Sequence, residues 1–126
     1  METTQHEVVV FGATSFVGRL TCAYLADRYG DDLDWAMAGR SQSRLESVRD
    51  EIGAGDDVPL IVADAADPAA LEALCERARV VVSTVGPYAL YGETLVRICA
   101  ETGTDYCDLT GEVQWIRRMI ERYEAT

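Results

Sequence analysis

The sequence predicts an α/β fold in which a parallel sheet of five strands is doubly wound, with flanking helices on both faces. Three observations predict it: short apolar runs alternate with longer segments of helical period, the runs are continuously apolar, and the connecting loops are short. Continuous rather than alternating apolar runs are typical of parallel strands that are covered on both faces. Because crossovers between parallel strands are right-handed, we expect the strand order 3-2-1-4-5.

The predicted strands are four strong apolar runs and one weaker run. The strong runs cover residues 8–11, 35–38, 60–63 and 80–83, and the weaker one covers residues 106–109. Between and after them, four segments repeat apolar residues at the i, i+3, i+4, i+7 spacing of a helix with one buried face. Their stripes are Leu45, Val48 and Ile52; Leu71, Leu74, Cys75 and Ala78; Leu95, Ile98, Cys99 and Thr102; and Val113, Ile116, Ile120 and Tyr123.

The first helix, predicted over residues 17–29, has a less regular apolar face than the other four. Its expected buried side chains are Leu20, Tyr24 and Leu25. The start of the third helix is better defined, because Asp67 suits an N-cap and Pro68 suits the first helical position.

The charge of the chain limits the classes of molecule that it is expected to bind. With 22 acidic and 11 basic residues among 126, the formal net charge is −11. Such a chain repels DNA and RNA at long range, so we expect no nucleic-acid binding. The longest uncharged stretch, residues 80–92, is shorter than the roughly 20 apolar residues of a membrane-spanning helix. Since the N-terminus also lacks the features of a secretory signal, we expect no transmembrane segment and a cytoplasmic location.

The absence of lysine and the scattered positions of the cysteines exclude several kinds of catalytic and metal-binding site. All 11 basic residues are arginine, so the chain cannot form a lysine Schiff base, a P-loop or a Tyr-x-x-x-Lys reductase dyad. The cysteines form no Cys-x-x-Cys pair, and we therefore predict no metal site and four small, reduced core thiols. They are Cys22, Cys75, Cys99 and Cys107.

A glycine-containing loop follows the first strand and opens the first helix. It consists of Gly12, Ala13, Thr14, Ser15, Phe16, Val17 and Gly18. In a dinucleotide fingerprint at this position, the first glycine permits a tight turn and the last lets the helix pack closely on the strand. The pyrophosphate would sit on the free amides of the helix N-terminus, where the macrodipole favours negative charge. The alternative is a glycine turn that packs a strand on a helix without a ligand.

One position of this loop departs from the Gly-x-x-Gly-x-x-Gly spacing that it otherwise follows. Ser15 stands where the central glycine is expected. Its side chain can crowd the phosphates, or its hydroxyl can donate a hydrogen bond to them.

The end of the second strand distinguishes two dinucleotides. An NAD-selective fold places Asp or Glu there, to accept hydrogen bonds from the ribose 2′-hydroxyl. Here the strand is followed by Arg40 and Ser41, with no carboxylate. Arg40 can pair with the 2′-phosphate of NADP and stack on adenine, and Ser41 can add a hydroxyl donor. The sequence therefore favours NADP; the alternatives are a solvated Arg40 and a Ser41 that caps the second helix.

The ends of the third and fourth strands supply further candidates. Asp64 can accept a hydrogen bond from the adenine amino group, whereas Asp67 is more simply the N-cap of the third helix. Val85, Gly86 and Pro87 follow the fourth strand, at the point where the strand order reverses and ligands bind. A thin turn at Gly86 and Pro87 would let ribose and nicotinamide lie against the backbone.

No catalytic residue is predicted. Polar residues expected at the catalytic rim of such a fold are Tyr88, Tyr91, Asp108 and Glu112. Glu112 equally suits the first turn of the last helix, and Thr110 suits its N-cap. The single histidine, His6, is predicted to lie in a tail ahead of the first strand.

Four segments resemble the NADP-binding domain of the saccharopine dehydrogenase-like oxidoreductases, in particular the branch that contains the trans-acting enoyl reductases. They are residues 12–21, 38–41, 84–92 and 105–113. The resemblance implies a Rossmann-like fold, NADP as cofactor, and hydride transfer from NADPH to a C=C bond or, as a weaker alternative, a C=N bond. It also implies that residues 12–18, Arg40, Ser41 and the 85–87 turn bind the cofactor.

The same resemblance implies a longer parent protein, whose C-terminal part supplies the substrate site and the catalytic acid. We expect residues 1–126 to be one NAD(P)-binding domain of such an oxidoreductase, inactive alone, with a lipid-like small-molecule substrate. An apolar patch left without its partner domain would favour a homo-oligomer. The alternative functions are a non-catalytic NADP redox sensor and a protein-interaction module.

Overall fold

The structure, a computed structural model, describes residues 6–126 as a single parallel sheet with helices on both faces. The strands are β1 (His6–Phe11), β2 (Trp35–Gly39), β3 (Leu60–Val62), β4 (Ala78–Ser83) and β5 (Asp105–Asp108). Their order across the sheet is β3-β2-β1-β4-β5, and every pair is parallel. The predicted fold class and strand order are confirmed.

Six α-helices connect or follow the strands. They are α1 (Phe16–Tyr29), α2 (Gln42–Glu51), α3 (Pro68–Glu76), α4 (Tyr88–Tyr91), α5 (Glu93–Thr102) and α6 (Val113–Tyr123). The single turn α4 was not predicted, because four residues are too few to show a helical period. Asp67 caps α3 as predicted, and its carboxylate accepts the N–H groups of Ala69 and Ala70. Within residues 6–126, no helix is both long and apolar enough to cross a membrane.

The two faces of the sheet carry separate hydrophobic cores. Val9 and Phe11 of β1 enter one core, and Val10 enters the other, because successive side chains of a strand point to opposite faces. Leu71 of α3 belongs to the first core and Leu45 of α2 to the second. Because the strands are all parallel, the loops that follow them lie together at the end of the sheet where the strands' carboxyl ends meet.

The buried face of α1 differs from the predicted one. Leu20 and Tyr24 are 56% and 57% exposed, and Leu25 is half-buried. The buried residues are Gly18 and Cys22. Small residues face inward here because α1 lies directly against the backbone that leaves β1.

The buried face of α6 is also shifted from the predicted stripe. Val113 and Ile120 are 68% and 50% exposed, whereas Trp115 and Met119 are buried. Trp115 packs on Tyr88 with ring centroids 5.4 Å apart. The position of Tyr88 therefore determines which face of α6 is buried, and the apolar period of the sequence does not reveal that position.

Four further predictions are corrected at element ends. Ala78 begins β4, where it pairs with His6, rather than ending the stripe of α3. Thr102, at the end of α5, is exposed. Cys107 is exposed because β5 is an edge strand, whereas the other three cysteines are buried. His6 is not in a tail but is the buried first residue of β1.

Candidate dinucleotide site

The loop between β1 and α1 makes a tight turn at its first residue. Gly12 has a φ of +85°, and a Cβ there would lie 2.6 Å from Thr84 Oγ1 and 2.8 Å from Val85 Cγ2. The N–H groups of Gly12 and Ala13 both donate to the carbonyl of Ala38 in β2, at 2.9 and 3.0 Å. The turn therefore packs closely between the carboxyl ends of β2 and β4, and glycine is required at position 12.

Gly18 lets the first turn of α1 approach the loop backbone. A Cβ at this position would lie 2.0 Å from the carbonyl oxygen of Gly12 and 2.9 Å from Ala13 Cα. Both neighbours are backbone atoms, so no side chain fits. The N–H groups at the start of α1, which have no partner inside the helix, consequently lie close to the turn.

Ser15 is the N-cap of α1. Its Oγ accepts the N–H of Gly18 at 3.0 Å, and its hydroxyl donates to the carbonyl of Gly12 at 2.8 Å. The Ser15 hydroxyl also lies 3.2 Å from Thr84 Oγ1. Because its donor and acceptor functions are both used within the loop, Ser15 supplies a helix cap at the position of the expected glycine.

A groove of about 610 Å³ opens beside this loop, at the carboxyl ends of β1 to β4. In doubly wound sheets, ligands bind in this position, where the strand order reverses. Several residues predicted to bind a cofactor line the groove. They are Gly12, Thr14, Ser15, Arg40, Asp64, Val85 and Gly86.

The remaining predicted residues lie beside the groove rather than on its wall. They are Ala13, Phe16, Val17, Gly18, Ser41 and Pro87. Ala13 is fully buried, whereas Phe16 is 74% exposed. Ser41 caps α2, as the alternative reading expected, and its Oγ accepts the N–H of Arg44 at 3.3 Å. A direct cofactor contact by any residue of the set stays a prediction.

Two arginines lie on the groove wall beyond β2. Arg40 follows the strand, Arg44 lies in the first turn of α2, and both are exposed. In the described part of the chain, neither forms an ion pair with a carboxylate. Sequence reasoning missed Arg44; the available signal was its place just after the predicted cap Ser41. Two positive charges in an acidic molecule are thus left to face the groove.

Asp64 lies on the groove wall beyond β3. Its Oδ1 accepts the N–H of Ala66 at 2.8 Å, and its carbonyl accepts the N–H of Asp67 at 2.9 Å. These bonds fix the turn into α3 and orient the carboxylate of Asp64.

The residues expected at the rim have different surroundings. Tyr91 lines the groove. Tyr88 is buried, its hydroxyl donates to the carbonyl of Ser83 at 2.8 Å, and burial raises the pKa of its phenol. The Glu112 carboxylate accepts the N–H groups of Tyr88 at 2.8 Å and Ala89 at 3.0 Å. Tyr88 and Glu112 therefore hold the backbone of the rim.

The loop from β5 to α6 is ordered by its own side chains. Asp108 Oδ1 accepts the N–H of Thr110 at 3.0 Å, and Thr110 Oγ1 accepts the N–H of Glu112 at 3.0 Å. The Tyr106 hydroxyl donates to the other carboxylate oxygen of Asp108. The predicted N-cap role of Thr110 is wrong, because Glu112 occupies that position. The loop is thus a rigid support for the Glu112 side chain.

A glycine turn at a helix N-terminus, opening on a groove at the strand reversal, defines the class of dinucleotide-binding Rossmann domains. Comparison with known families narrows this class. Residues 8–126 match the family model of the saccharopine dehydrogenase NADP binding domain. The chain belongs to this family, whose cofactor is NADP.

The chain is similar in sequence to mycobacterial trans-acting enoyl reductases. It is 50% identical over 120 residues to the trans-acting enoyl reductase of Mycobacterium ulcerans, a match that covers 94% of this chain and 28% of the relative. A putative trans-acting enoyl reductase of Mycobacterium tuberculosis is 49% identical over the same shares of the two chains. The chain thus corresponds to the NADP-binding domain of a homologue and spans 28% of the length of these relatives.

Solved structures share the fold. Saccharopine dehydrogenase (L-Glu forming) from Saccharomyces cerevisiae aligns with a TM-score of 0.69 at 20% identity, over 91% of this chain and 24% of that one. A short-chain dehydrogenase/reductase from Veillonella parvula in complex with NADP aligns with a TM-score of 0.67 at 16% identity, over 82% of this chain and 46% of that one. At these identities the likeness concerns the fold alone.

Proposed function

We propose that the groove binds NADP and that this chain is the cofactor domain of a longer NADP-dependent oxidoreductase. The observation that carries the proposal is that one groove joins the glycine turn at α1 to Arg40 and Arg44 beyond β2. The N-terminus of α1, which the glycine turn brings beside the groove, suits a pyrophosphate, and the two arginines suit a 2′-phosphate.

Each part of NADP has its own group of residues on this surface. Within residues 12–18, the N–H groups of Thr14, Phe16 and Val17 would bind the pyrophosphate, because the other four already donate within the protein. Arg40 and Arg44 would bind the 2′-phosphate, and Arg40 would also stack on adenine. Asp64 would accept a hydrogen bond from the adenine amino group, and residues 85–87 would contact the ribose and nicotinamide.

The bound NADPH would supply the hydride, and the chain's own residues would bind and orient it. We assign reduction of a C=C bond to the parent protein, with support from the similarity to trans-acting enoyl reductases. A lipid-like substrate and the catalytic acid would then be held by the rest of the parent. Exposed apolar side chains on α4 and at the start of α6, those of Leu90 and Val113, suit contact with such a further domain or with a second copy of the chain. The free cysteines are consistent with a cytoplasmic location.

Calorimetric titration of the chain with NADP and, separately, NAD tests this proposal. We expect NADP to bind at least about tenfold more tightly than NAD. Arg44→Gln should weaken NADP binding and leave NAD binding nearly unchanged, because only NADP carries the 2′-phosphate. Arg40→Gln should weaken NADP binding more than NAD binding, because both dinucleotides carry the adenine on which Arg40 would stack. Arg118→Gln is the matched control, since Arg118 is exposed on α6 and does not line the groove.

Equal affinity for the two dinucleotides, or equal losses in Arg40→Gln and Arg118→Gln, would rule out the assigned phosphate site. Absence of binding by a chain with native circular dichroism would reject the cofactor-domain proposal as a whole.

A further inference from the structure

Glu112 makes a bidentate contact with the backbone of a distant segment. One carboxylate oxygen accepts the N–H of Tyr88 at 2.8 Å, and the other accepts the N–H of Ala89 at 3.0 Å. Glu112 follows β5, whereas the two N–H groups follow β4, so this contact joins two loops at the same edge of the sheet. Hydrogen bonds with a charged acceptor are among the stronger ones in proteins.

The segment that Glu112 holds forms one wall of the dinucleotide groove. Val85 and Gly86, just before the two N–H groups, line the groove, and so does Tyr91, just after them. The position of this wall therefore depends on how residues 88 and 89 are held. Neither Glu112 nor any other described residue that follows β5 lines the groove, so Glu112 acts on the groove through the backbone of the 85–91 segment.

The segment cannot fix its own position. An isolated helical turn is unstable in water, because nucleation orders several residues for one hydrogen bond. α4 has only four residues, and Pro87 before it has no N–H to donate. Besides α5, which follows Gly92 directly, its supports among the described residues include the Tyr88 hydroxyl bonded to Ser83, the Trp115 ring against Tyr88, and the Glu112 carboxylate. Of these, the carboxylate alone binds the backbone N–H groups next to the groove wall.

We propose that Glu112 is a positioning residue for the nicotinamide half of the dinucleotide, which it affects by holding the 85–91 segment as the groove wall. The proposal rests on the proposed NADP function. The adenosine half lies beyond β2 and β3, against Arg40, Arg44 and Asp64, and is independent of this wall. Loss of the Glu112 carboxylate should therefore weaken the two halves of the ligand unequally.

The test compares NADPH with adenosine 2′,5′-bisphosphate, which carries the adenosine half with its 2′-phosphate and lacks the nicotinamide. Both ligands are titrated into the chain and into its Glu112→Gln and Glu112→Ala variants. Glutamine keeps one acceptor oxygen and faces the second N–H with an amide group, so it is the milder change. Glu121→Gln is the control, because Glu121 lies on α6, the helix that Glu112 precedes, and pairs with exposed Arg117.

We expect Glu112→Gln to weaken NADPH binding about tenfold, with a larger loss in Glu112→Ala. Binding of adenosine 2′,5′-bisphosphate should be the same in wild type and both variants. Equal weakening of both ligands would indicate general destabilisation and overturn the positioning role, as would unchanged NADPH binding in Glu112→Gln. Failure of the wild-type chain to bind either ligand would instead reject the proposed NADP function, and the positioning role with it.

Discussion

Gly18 occupies a helical position where glycine is ordinarily unfavourable. Alanine in an exposed helix interior is more stable than glycine by about 1 kcal/mol. At residue 18 the preference reverses, since a Cβ would lie 2.0 Å from the Gly12 carbonyl oxygen. That oxygen cannot move aside easily, because the N–H of Gly12 is bonded to Ala38 in β2. The clash therefore outweighs the gain in helix propensity.

We expect Gly18→Ala to lower the free energy of unfolding by about 2 kcal/mol or more, through overpacking against backbone. Gly111→Ala is the control, because no atom lies within 4 Å of its Cβ position and its φ lies outside the left-handed range. The control should change stability by less than about 0.5 kcal/mol. Urea denaturation followed by circular dichroism measures both. Similar values for the two variants would show that the loop relaxes around the added methyl group.

The residues of the glycine loop also show which details a pattern leaves open. Gly12 and Gly18 have the roles that their spacing predicts, since those roles depend on the local turn. That Ser15 crowds or binds phosphate stays a prediction, whereas the structure shows that its hydroxyl caps α1. A serine directly before a helix is a common N-cap, so the cap was available as an inference. The cap was not predicted, because the spacing of the loop pointed to a missing glycine at this position.

At the scale of elements, α6 is attached mainly by residues outside its predicted apolar stripe, although Tyr123 of that stripe also contributes. Trp115 and Met119 are buried, and Trp115 packs on Tyr88. Near the other end, Glu93 of α5 accepts hydrogen bonds from Arg122 at 2.7 Å and the Tyr123 hydroxyl at 2.6 Å. The helix is thus held by one aromatic contact at its start and by one polar cluster at its end.

We expect Trp115→Ala to destabilise the chain by about 3–5 kcal/mol, because it leaves a cavity beneath Tyr88. Ile120→Ala, on the stripe that the period predicted, should cost less than about 1 kcal/mol, since Ile120 is 50% exposed. Thermal unfolding of the two variants measures the difference. Comparable losses would mean that Ile120 is covered in solution, for example by a second copy of the chain.

At the scale of the whole molecule, His6 makes the free energy of unfolding depend on pH. It is buried at the start of β1, with Nε2 3.5 Å from a guanidinium nitrogen of Arg77. Burial first, and then the Arg77 charge, lower the pKa of His6 below its usual 6.5, while Asp34 acts in the opposite direction. Below pH 6.5 the unfolded chain therefore binds a proton that the folded chain still resists, and protonation favours unfolding.

We expect the free energy of unfolding to fall as the pH drops from 7.5 to 5.5, and to level off below the lowered pKa of the folded state. His6→Gln should reduce this fall, because it removes the group that titrates in that range. Urea denaturation of both proteins at pH 7.5, 6.5 and 5.5 gives the comparison. Parallel curves for wild type and variant would show that another group is responsible.

The positions of the strands were predictable because each buried parallel strand is a continuous apolar run, as in residues 8–11 and 35–38. The site was partly predictable for a related reason. Gly12, Arg40, Asp64 and Val85 each lie within two residues of the end of a strand, and parallel strands bring their carboxyl ends to one edge. Arg44 was missed because it lies inside a helix, where no strand end marks it.

The order of elements, the doubly wound class and the glycine turn follow from the sequence alone, because apolar period and glycine spacing act over a few neighbouring residues. The buried faces of α1 and α6, and the contact of the Glu112 carboxylate with the N–H groups of Tyr88 and Ala89, arise only in the folded chain. Those outcomes depend on contacts between residues far apart in the chain, such as Trp115 with Tyr88. A local pattern does not specify which distant group a residue will contact. The fold can therefore be predicted from the sequence, whereas the contact that supports the groove wall cannot.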